Sequence, residues 1–394
     1  LGREIRYTRN APPCTLRAGA QRHRMRGQDV VKKAILLTLG VLLLSALFIL
    51  LRLDERLRLA MLPPAKSQAV RFAVLGDSDS HAYHDELSFG RRPEARGGAL
   101  RHRSWQWTEV LAHLRAEQLD PGPWGEWGTR YRRLSSLRDA LGLDGRFPVK
   151  QDHRFNLAYS GSVCANLTEP PQNQTARLLA LMQEAPERWQ RGVVLIRIGT
   201  NDFGKLESLD ALSRDPGDAP TVARIDACVQ HIGRSVQTLR AAWPDLRIVL
   251  VGIFNNAEWE KFHARWQSAQ AQANIHQGMA RFDAGLKAIV QGDANMAFFD
   301  DQAWFAERWG SRRVSGVPDY RKVRFGHHFE VSNTGGDEPQ HATLSDGHAG
   351  SAWNALWAQA LVNLLNQRWG LGIPPLETDE LVRFVDPDGR FGMQ

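Results

Sequence analysis

An alternation of short apolar runs with helical patterns constrains the fold of this chain more than any other feature. Five strand-like runs stand at 70–75 (VRFAVL), 154–158 (RFNLA), 193–198 (VVLIRI), 247–254 (RIVLVGIF) and 296–299 (MAFF). Short apolar runs bounded by turn residues read as buried strands. Residues 175–184, 222–243 and 268–290 carry apolar residues at spacings of three and four. A last helical pattern, 351–366, puts Ala352, Leu356, Ala360 and Leu364 on one stripe beside Trp353, Trp357 and Leu361. Strands alternating with helices predict a parallel sheet covered on both faces, because each crossover lays a helix over the sheet. Two stretches break the rhythm. Residues 79–150, polar and rich in Arg, Gly and Trp, are expected as an insertion, and residues 301–345 carry few apolar runs. Connections of this length tend to be functional or disordered.

Ahead of this region lies an apolar run, residues 34–51, broken only by Thr38, Gly40 and Ser45 and preceded by Lys32 and Lys33. It is just long enough to span a bilayer and longer than the core of a secretory signal. No small-residue cleavage site follows directly, since the next residues are Arg52, Leu53, Asp54, Glu55 and Arg56. An uncleaved transmembrane signal anchor is therefore expected, with a cleaved signal peptide or a buried core helix as the competing readings. The lysines before the span place its N-terminal side in the cytoplasm, and the arginines after it pull the other way. Residues 1–33 form a basic cytoplasmic extension or precede the true start. Residues 1–24 are Arg-rich without an apolar period, and Met25 opens a compact basic segment, so translation is expected to begin there. Residues 52–69, with Pro63 and Pro64, are expected as a linker, 70–370 as the globular domain and 371–394 as a C-terminal tail.

A formal charge of +7 suggests nucleic acid or membrane as a partner, but its location removes most of that meaning. Residues 1–58 hold 12 Lys/Arg and 4 Asp/Glu, which leaves 38 basic and 39 acidic residues in the rest of the chain. The globular part is close to neutral, so a basic stripe for a phosphate backbone is not expected. The cysteines are Cys14, Cys164 and Cys228. If the domain is exported the last two can pair as a disulfide; the reading preferred from the sequence is two buried, inert thiols. No Cys-x-x-Cys or Cys/His cluster suggests zinc.

In open parallel sheets, ligands bind beyond the carboxyl ends of the strands. The first run is followed by Gly76-Asp77-Ser78, the second by Tyr159-Ser160-Gly161-Ser162, and the third by Gly199-Thr200-Asn201-Asp202. Ser345-Asp346-Gly347-His348 precedes the last helix. A hydroxyl, a small-residue turn, an amide and an imidazole thus fall where a cleft is expected. Taken singly, each has an ordinary reading: Ser78 as a helix N-cap, Asn201 as a turn residue, His348 as a capping or packing group. Taken together and in order, they resemble the blocks of the SGNH (GDSL-like) hydrolase family over roughly residues 70–367.

That resemblance implies a three-layer α/β/α sandwich of flavodoxin-like kind, with a five-stranded parallel sheet in the order 2-1-3-4-5. It implies ester hydrolysis through an acyl-enzyme, with no cofactor and no metal. Ser78 would be the nucleophile and His348 the base. The oxyanion hole would be formed by the N–H groups of Ser78 and Gly161 and the Asn201 amide. The family places an aspartate three residues before the histidine; here that position is Ser345. Asp346, two before, is the expected third member, with Asp337 or a backbone carbonyl as the alternatives.

A rival reading rests on Asp77-Ser-Asp79-Ser-His81-Ala-Tyr-His84-Asp85, a run dense in metal ligands. A dinuclear metallophosphoesterase would grip two cations with such a run. It also needs an Asp-x-His before Gly76 and a histidine after Asn201, and both are missing. His81 and His84 are instead expected at the cleft rim or in solvent. Trp105, Trp107, Trp124 and Trp127 either pack the insertion onto the domain or form a platform for sugar rings. Arg101, Arg103, Arg130, Arg132 and Arg133 are either solvated or meet an anionic substrate. The leading expectation is a membrane-anchored esterase with a periplasmic or extracellular catalytic domain, acting on an O-acylated carbohydrate or envelope ester. A lipase, thioesterase or O-acyltransferase would share the same site. A non-catalytic glycan-binding envelope protein is the alternative of another class.

Overall fold

The computed structural model describes residues 17–60, 68–90, 96–141, 143–310, 315, 317 and 319–392. The chain divides into two compact units, Leu1–Leu62 and Pro63–Gln394. Residues 1–16, with Cys14, and residues 61–67 of the expected linker lie outside the described residues.

Among the described residues, the first unit is one helix, α1 (Arg17–Ala60). Its segment Val30–Asp54 is long and apolar enough to cross a membrane. Val30, Leu36, Leu37, Val41, Leu43 and Leu50 are all exposed. Apolar residues all round the segment leave it no polar face to give to water. The helix continues through residues 52–60, so the first half of the expected linker is helical.

The second unit is built on a five-stranded parallel sheet. Its strands are β1 (Val70–Gly76), β2 (Leu119–Asp120), β3 (Val193–Arg197), β4 (Arg247–Val251) and β5 (Met296–Phe299). They run in the order β2-β1-β3-β4-β5, the order the resemblance implies. Successive side chains of a strand point to opposite faces, and here this divides the core in two. Phe72, Val74, Leu195, Val249 and Phe299 pack under α2 (Trp107–Leu114), α6 (Ser351–Trp369) and α7 (Thr378–Val385). Ala73, Leu75, Val194, Ile196 and Leu250 pack under α3 (Gln174–Met182), α4 (Ala219–Ala242) and α5 (Ala269–Val290). The result is the expected three-layer α/β/α sandwich.

The second strand is not where its apolar run suggested. The strand proper is Leu119–Asp120, paired with the start of β1. At Pro121, which has no N–H to give a ladder, the chain leaves the sheet. It forms a hairpin of Trp124–Trp127 on Lys150–His153 and then returns. On return it makes a single bridge, Asn156 opposite Val74. There the Val74 N–H donates to the Phe155 carbonyl at 3.0 Å and the Leu157 N–H to the Val74 carbonyl at 2.8 Å. The expected insertion therefore contains framework parts, α2 and β2, and the additions are narrower. The 301–345 stretch holds a helix, Asp301–Arg308, and a three-stranded sheet of Val323–Phe325, Phe329–Gly335 and His341–Thr343. The C-terminal residues, expected as a tail, bury Ile373, Leu376, Leu381, Val382 and Val385 in the core.

Cys164 and Cys228 form a disulfide that ties the 3-10 turn Cys164–Leu167 to α4. The closed loop spans a sequence separation of 64. Closing a loop of that size in the unfolded chain is worth roughly 4 kcal/mol in the chain-entropy view. Reduction, or Cys228→Ser, should therefore lower the urea midpoint by an amount equivalent to about 2–4 kcal/mol. A midpoint indifferent to reductant would contradict the cross-link.

Candidate active site

At the end of β1 the backbone of β3 leaves no room for a side chain. A Cβ on Gly76 would lie 2.4 Å from the Arg197 carbonyl oxygen, so only glycine fits there. The Gly76 N–H donates to the Gln174 Oε1 at 2.8 Å, and its carbonyl accepts from Gln174 Nε2 at 2.9 Å. Beyond it, the Asp77 side chain is fully buried and accepts the Asp79 N–H at 2.9 Å. Burial, then the neighbouring Asp79 charge, pushes its carboxyl well above the usual range. Ser78 is half-buried. Its carbonyl accepts from Gln106 Nε2 at 3.2 Å, and the Asp79 carbonyl accepts from the Trp107 indole at 2.9 Å. Both donors belong to the start of α2, whose N-cap Gln106 and Glu109 complete a capping box.

The second turn, Tyr159–Ser162, is set by a buried pair, His81 and Asp85, of which His81 was expected at the cleft rim or in solvent. His81 has no exposed surface. The Ser160 N–H donates to its Nδ1 at 3.2 Å, which fixes the tautomer. His81 Nε2 then donates to Asp85 Oδ2 at 2.8 Å. Asp85 in turn accepts the N–H groups of Leu87, Ser88 and Gln151 at 2.9–3.1 Å. Burial, helped by the Lys150 charge, holds the imidazole down at about 4 against the pull of Asp85. Burial raises Asp85, but the hydrogen bond and charge of His81 outweigh it and bring it to about 2. Ser160 Oγ also lies 3.0 Å from His81 Nδ1. Serine, histidine and aspartate in a row have the residue types of a triad. This imidazole, however, is already engaged by a fixed amide and resists protonation, so the trio holds the turn. Gly161 follows with φ +83°, the left-handed region that favours glycine.

The third turn is laced to the other two. Thr200 Oγ1 donates to Asp79 Oδ2 at 3.2 Å. Asn201 Nδ2 donates to the Ser162 carbonyl at 3.0 Å, which leaves its second amide proton free to point elsewhere. Asp202 accepts the Cys164 N–H at 3.0 Å, and burial raises its carboxyl to about 6. Among the described residues, the backbone N–H groups of Ser78 and Gly161 donate to no other backbone group.

His348 sits in a turn fastened to the segment that follows Ser78. Tyr83 Oη donates to the Ala349 carbonyl at 2.8 Å, and Asn354 Nδ2 to the Trp105 carbonyl at 2.9 Å. Asp346 meets His348 twice. Its Oδ1 accepts the His348 backbone N–H at 3.0 Å, and its Oδ2 lies 3.0 Å from Nδ1, close in distance though off the line of a good hydrogen bond. Burial raises the Asp346 carboxyl, but the contact with His348 and the charge of Arg96 outweigh it and hold it well below the ordinary range. Asp337 is occupied elsewhere, accepting the N–H and hydroxyl of Ser345 at 3.1 and 2.8 Å. His348 Nε2 receives a hydrogen bond from Arg96 Nη2 at 3.0 Å. No hydrogen bond joins Ser78 Oγ to His348 among the described residues. Arg96 was missed in the sequence: one arginine in an Arg-rich stretch carries no local signal.

The run of metal-type ligands after Ser78 is spent on the protein's own bonds. His81 holds Asp85, and His84 Nδ1 lies 2.8 Å from Glu109 Oε1. His84 remains partly exposed, whereas His81 does not. Cys164, Asp202 and Cys228 lie close together, but both sulfurs belong to the disulfide. Of the four tryptophans weighed as a sugar platform, Trp107 and Trp127 are buried. Trp105 packs on His84, His113 and Phe384, and Trp124 is exposed. Arg101 is bonded to the carbonyls of Tyr83, Asp85 and Gly90, and Arg103 pairs with Asp388, so neither is simply solvated.

A doubly covered parallel sheet with a serine turn after β1 and a glycine-asparagine turn after β3 defines a class of α/β ester hydrolases. The family comparison agrees: residues 72–300 match the GDSL-like Lipase/Acylhydrolase family. The chain belongs to that family and is a hydrolase of ester bonds. The match ends before the turn that carries His348. Among solved structures, an extracellular lipase from Streptomyces rimosus is 17% identical, with a TM-score of 0.36 over 74% of this chain and 100% of that one. A lipase from a goat rumen metagenome is 13% identical, with a TM-score of 0.37 over 78% and 100%. Phospholipase A1 from Streptomyces albidoflavus is 15% identical, with a TM-score of 0.35 over 74% and 99%. No curated protein matches.

The buried His81 makes the fold acid-sensitive. Its folded value of about 4 lies below the ordinary 6.5, so the unfolded chain takes up the proton first. This contribution is intact above pH 6.5 and is lost as the pH falls toward 4. Between pH 7 and 4.5 the wild type should lose on the order of 2 kcal/mol more than His81→Asn, read from urea midpoints at the two pH values. Equal losses would mean that His81 is not buried neutral.

Proposed function

We propose that Ser78 is the nucleophile of an ester hydrolase, with His348 as its base and Asp346 as the group that orients the imidazole. The observation that carries this reading is the lacing of the three strand-end turns by Thr200–Asp79, Asn201–Ser162 and Asp202–Cys164, with the His348 turn fastened beside them. A serine hydroxyl is a poor nucleophile at neutral pH and needs a base. His348 takes the proton of Ser78 as Oγ bonds to the ester carbonyl carbon. The oxyanion accepts from the N–H groups of Ser78 and Gly161 and from the second Asn201 amide proton. Collapse breaks the bond to the alcohol, which leaves with the proton from His348. Water then repeats the sequence on the acyl-enzyme and releases the acid.

The substrate we infer is an O-acylated carbohydrate or another envelope ester outside the cytoplasm, reached by a domain tethered through α1. Two observations support the compartment: the apolar Val30–Asp54 segment and the Cys164–Cys228 disulfide, since disulfides persist where the surroundings are oxidising. Support for a sugar is narrower, because only Trp124 of the expected aromatic platform offers an open face.

A fluorophosphonate probe reacts only with an activated serine. Wild-type protein should label, Ser78→Ala should not, and His348→Ala should label far more slowly. Asn201→Ala should lower kcat on an aryl acetate about a hundred- to thousandfold, the usual cost of one oxyanion donor. Folded wild type that fails to label would overturn the assignment, as would Ser78→Ala labelling at the wild-type rate.

A further inference from the structure

Arg96 is a buried cation inside the proposed catalytic constellation. It is 5% exposed, and its guanidinium lies over the rings of Phe89 and Tyr83 at 4.3 and 4.9 Å. A guanidinium presents a planar fork of five N–H donors. Here Nε donates to Asp346 Oδ2 at 3.3 Å and Nη2 to His348 Nε2 at 3.0 Å. Nη1 is buried and has no hydrogen-bond partner among the described residues. Buried donors are nearly always paired, so an orphan of this kind calls for a missing acceptor. A second cation stands at the same turn. Lys261 lies over the Trp259 ring, and a Cβ on Gly347 would be 3.3 Å from its Nζ.

We propose that Arg96 recognises an oxyacid anion, a carboxylate or a phosphate, carried on the alcohol portion of the ester. The planar fork matches such a group through two parallel hydrogen bonds. The alcohol side follows from position, since Arg96 is bonded to the imidazole nitrogen that hands its proton to the leaving alcohol. This inference rests on the reading of His348 as the base.

The lone pair of His348 Nε2 that must take the Ser78 proton is occupied by Arg96 Nη2. An anion that draws the guanidinium onto itself frees that lone pair, so binding the charged alcohol also readies the base. A neutral ester or probe reacts only when thermal motion breaks the Arg96–His348 contact, and so more slowly.

The test uses the full chain and matched aryl acetates: 4-acetoxybenzoate against its methyl ester, and 4-acetoxyphenyl phosphate against its dimethyl ester. Rates are normalised to spontaneous hydrolysis. Wild type should favour the charged member of at least one pair tenfold or more in kcat/KM, and the pair that responds tells a carboxylate from a phosphate. Arg96→Met should abolish the preference by slowing the charged ester and speeding the neutral one, and Arg96→Lys should keep part of it. Absence of charge preference in both wild-type pairs overturns the proposal. So does an equal fall on both members in Arg96→Met, which marks a structural role, or turnover of no ester by protein that labels. Fluorophosphonate labelling of the same samples separates the two ideas. Labelled protein without charge preference sinks the Arg96 assignment alone, and unlabelled protein sinks the esterase site with it.

Discussion

The close approach of β1 to β3 at Gly76 is the constraint on which the rest of the site depends. With the Arg197 carbonyl 2.4 Å from where a Cβ would be, any other residue would wedge the two central strands apart. The strands would then deliver Ser78 and the Thr200–Asp202 turn at different heights. Because they do not, a 3.2 Å hydrogen bond from Thr200 can reach Asp79 across the gap. The third turn reaches the second through the Asn201 amide and the Asp202 carboxylate. Three loops are thereby held to one another by hydrogen bonds along a single edge of the sheet.

Buried polar groups complete that linkage. A buried polar network stabilises only if its members are satisfied. His81 meets this by taking an N–H from Ser160 on one nitrogen and giving its own proton to Asp85 on the other. Asp85 collects three backbone N–H groups besides. Arg197 does similar work on the other face of the sheet, bridging the Asp79 carbonyl and Asp301 while lying over the Trp357 ring. Arg96 departs from this pattern, and its unpaired nitrogen stands beside His348.

The framework was legible because its signals are periodic. Four of the five runs became the strands β1, β3, β4 and β5, and all four helical patterns became helices within a few residues of the expected ends. The edge strand was not legible, since two residues, Leu119 and Asp120, leave no period to detect. The apolar run at 154–158 looked more strand-like than it is because Phe155 and Leu157 are buried beside the sheet without joining it over any length. At the site, residues at strand ends could be named because position follows from the fold. What could not be read was contact between distant segments. His81 looked like a rim residue because no pattern in the sequence announces its bonds to Asp85 and Ser160. Arg96 and Asp346 are 250 residues apart and meet only in three dimensions. The C-terminal helix α7, with Leu381, Val382 and Val385 on its buried side, was read as part of a tail because it lies beyond the last strand–helix repeat.

Two serines near the carboxyl edge stand within a histidine-aspartate setting, Ser78 by proposal and Ser160 by direct contact, and the account depends on telling them apart. The most direct measurement is to react the full chain with a fluorophosphonate, digest it with trypsin and locate the adduct by tandem mass spectrometry. The account predicts a single adduct on Ser78, in the peptide that runs from Phe72 to Arg91. An adduct on Ser160, or elsewhere in that peptide on Ser80 or Ser88, would contradict it.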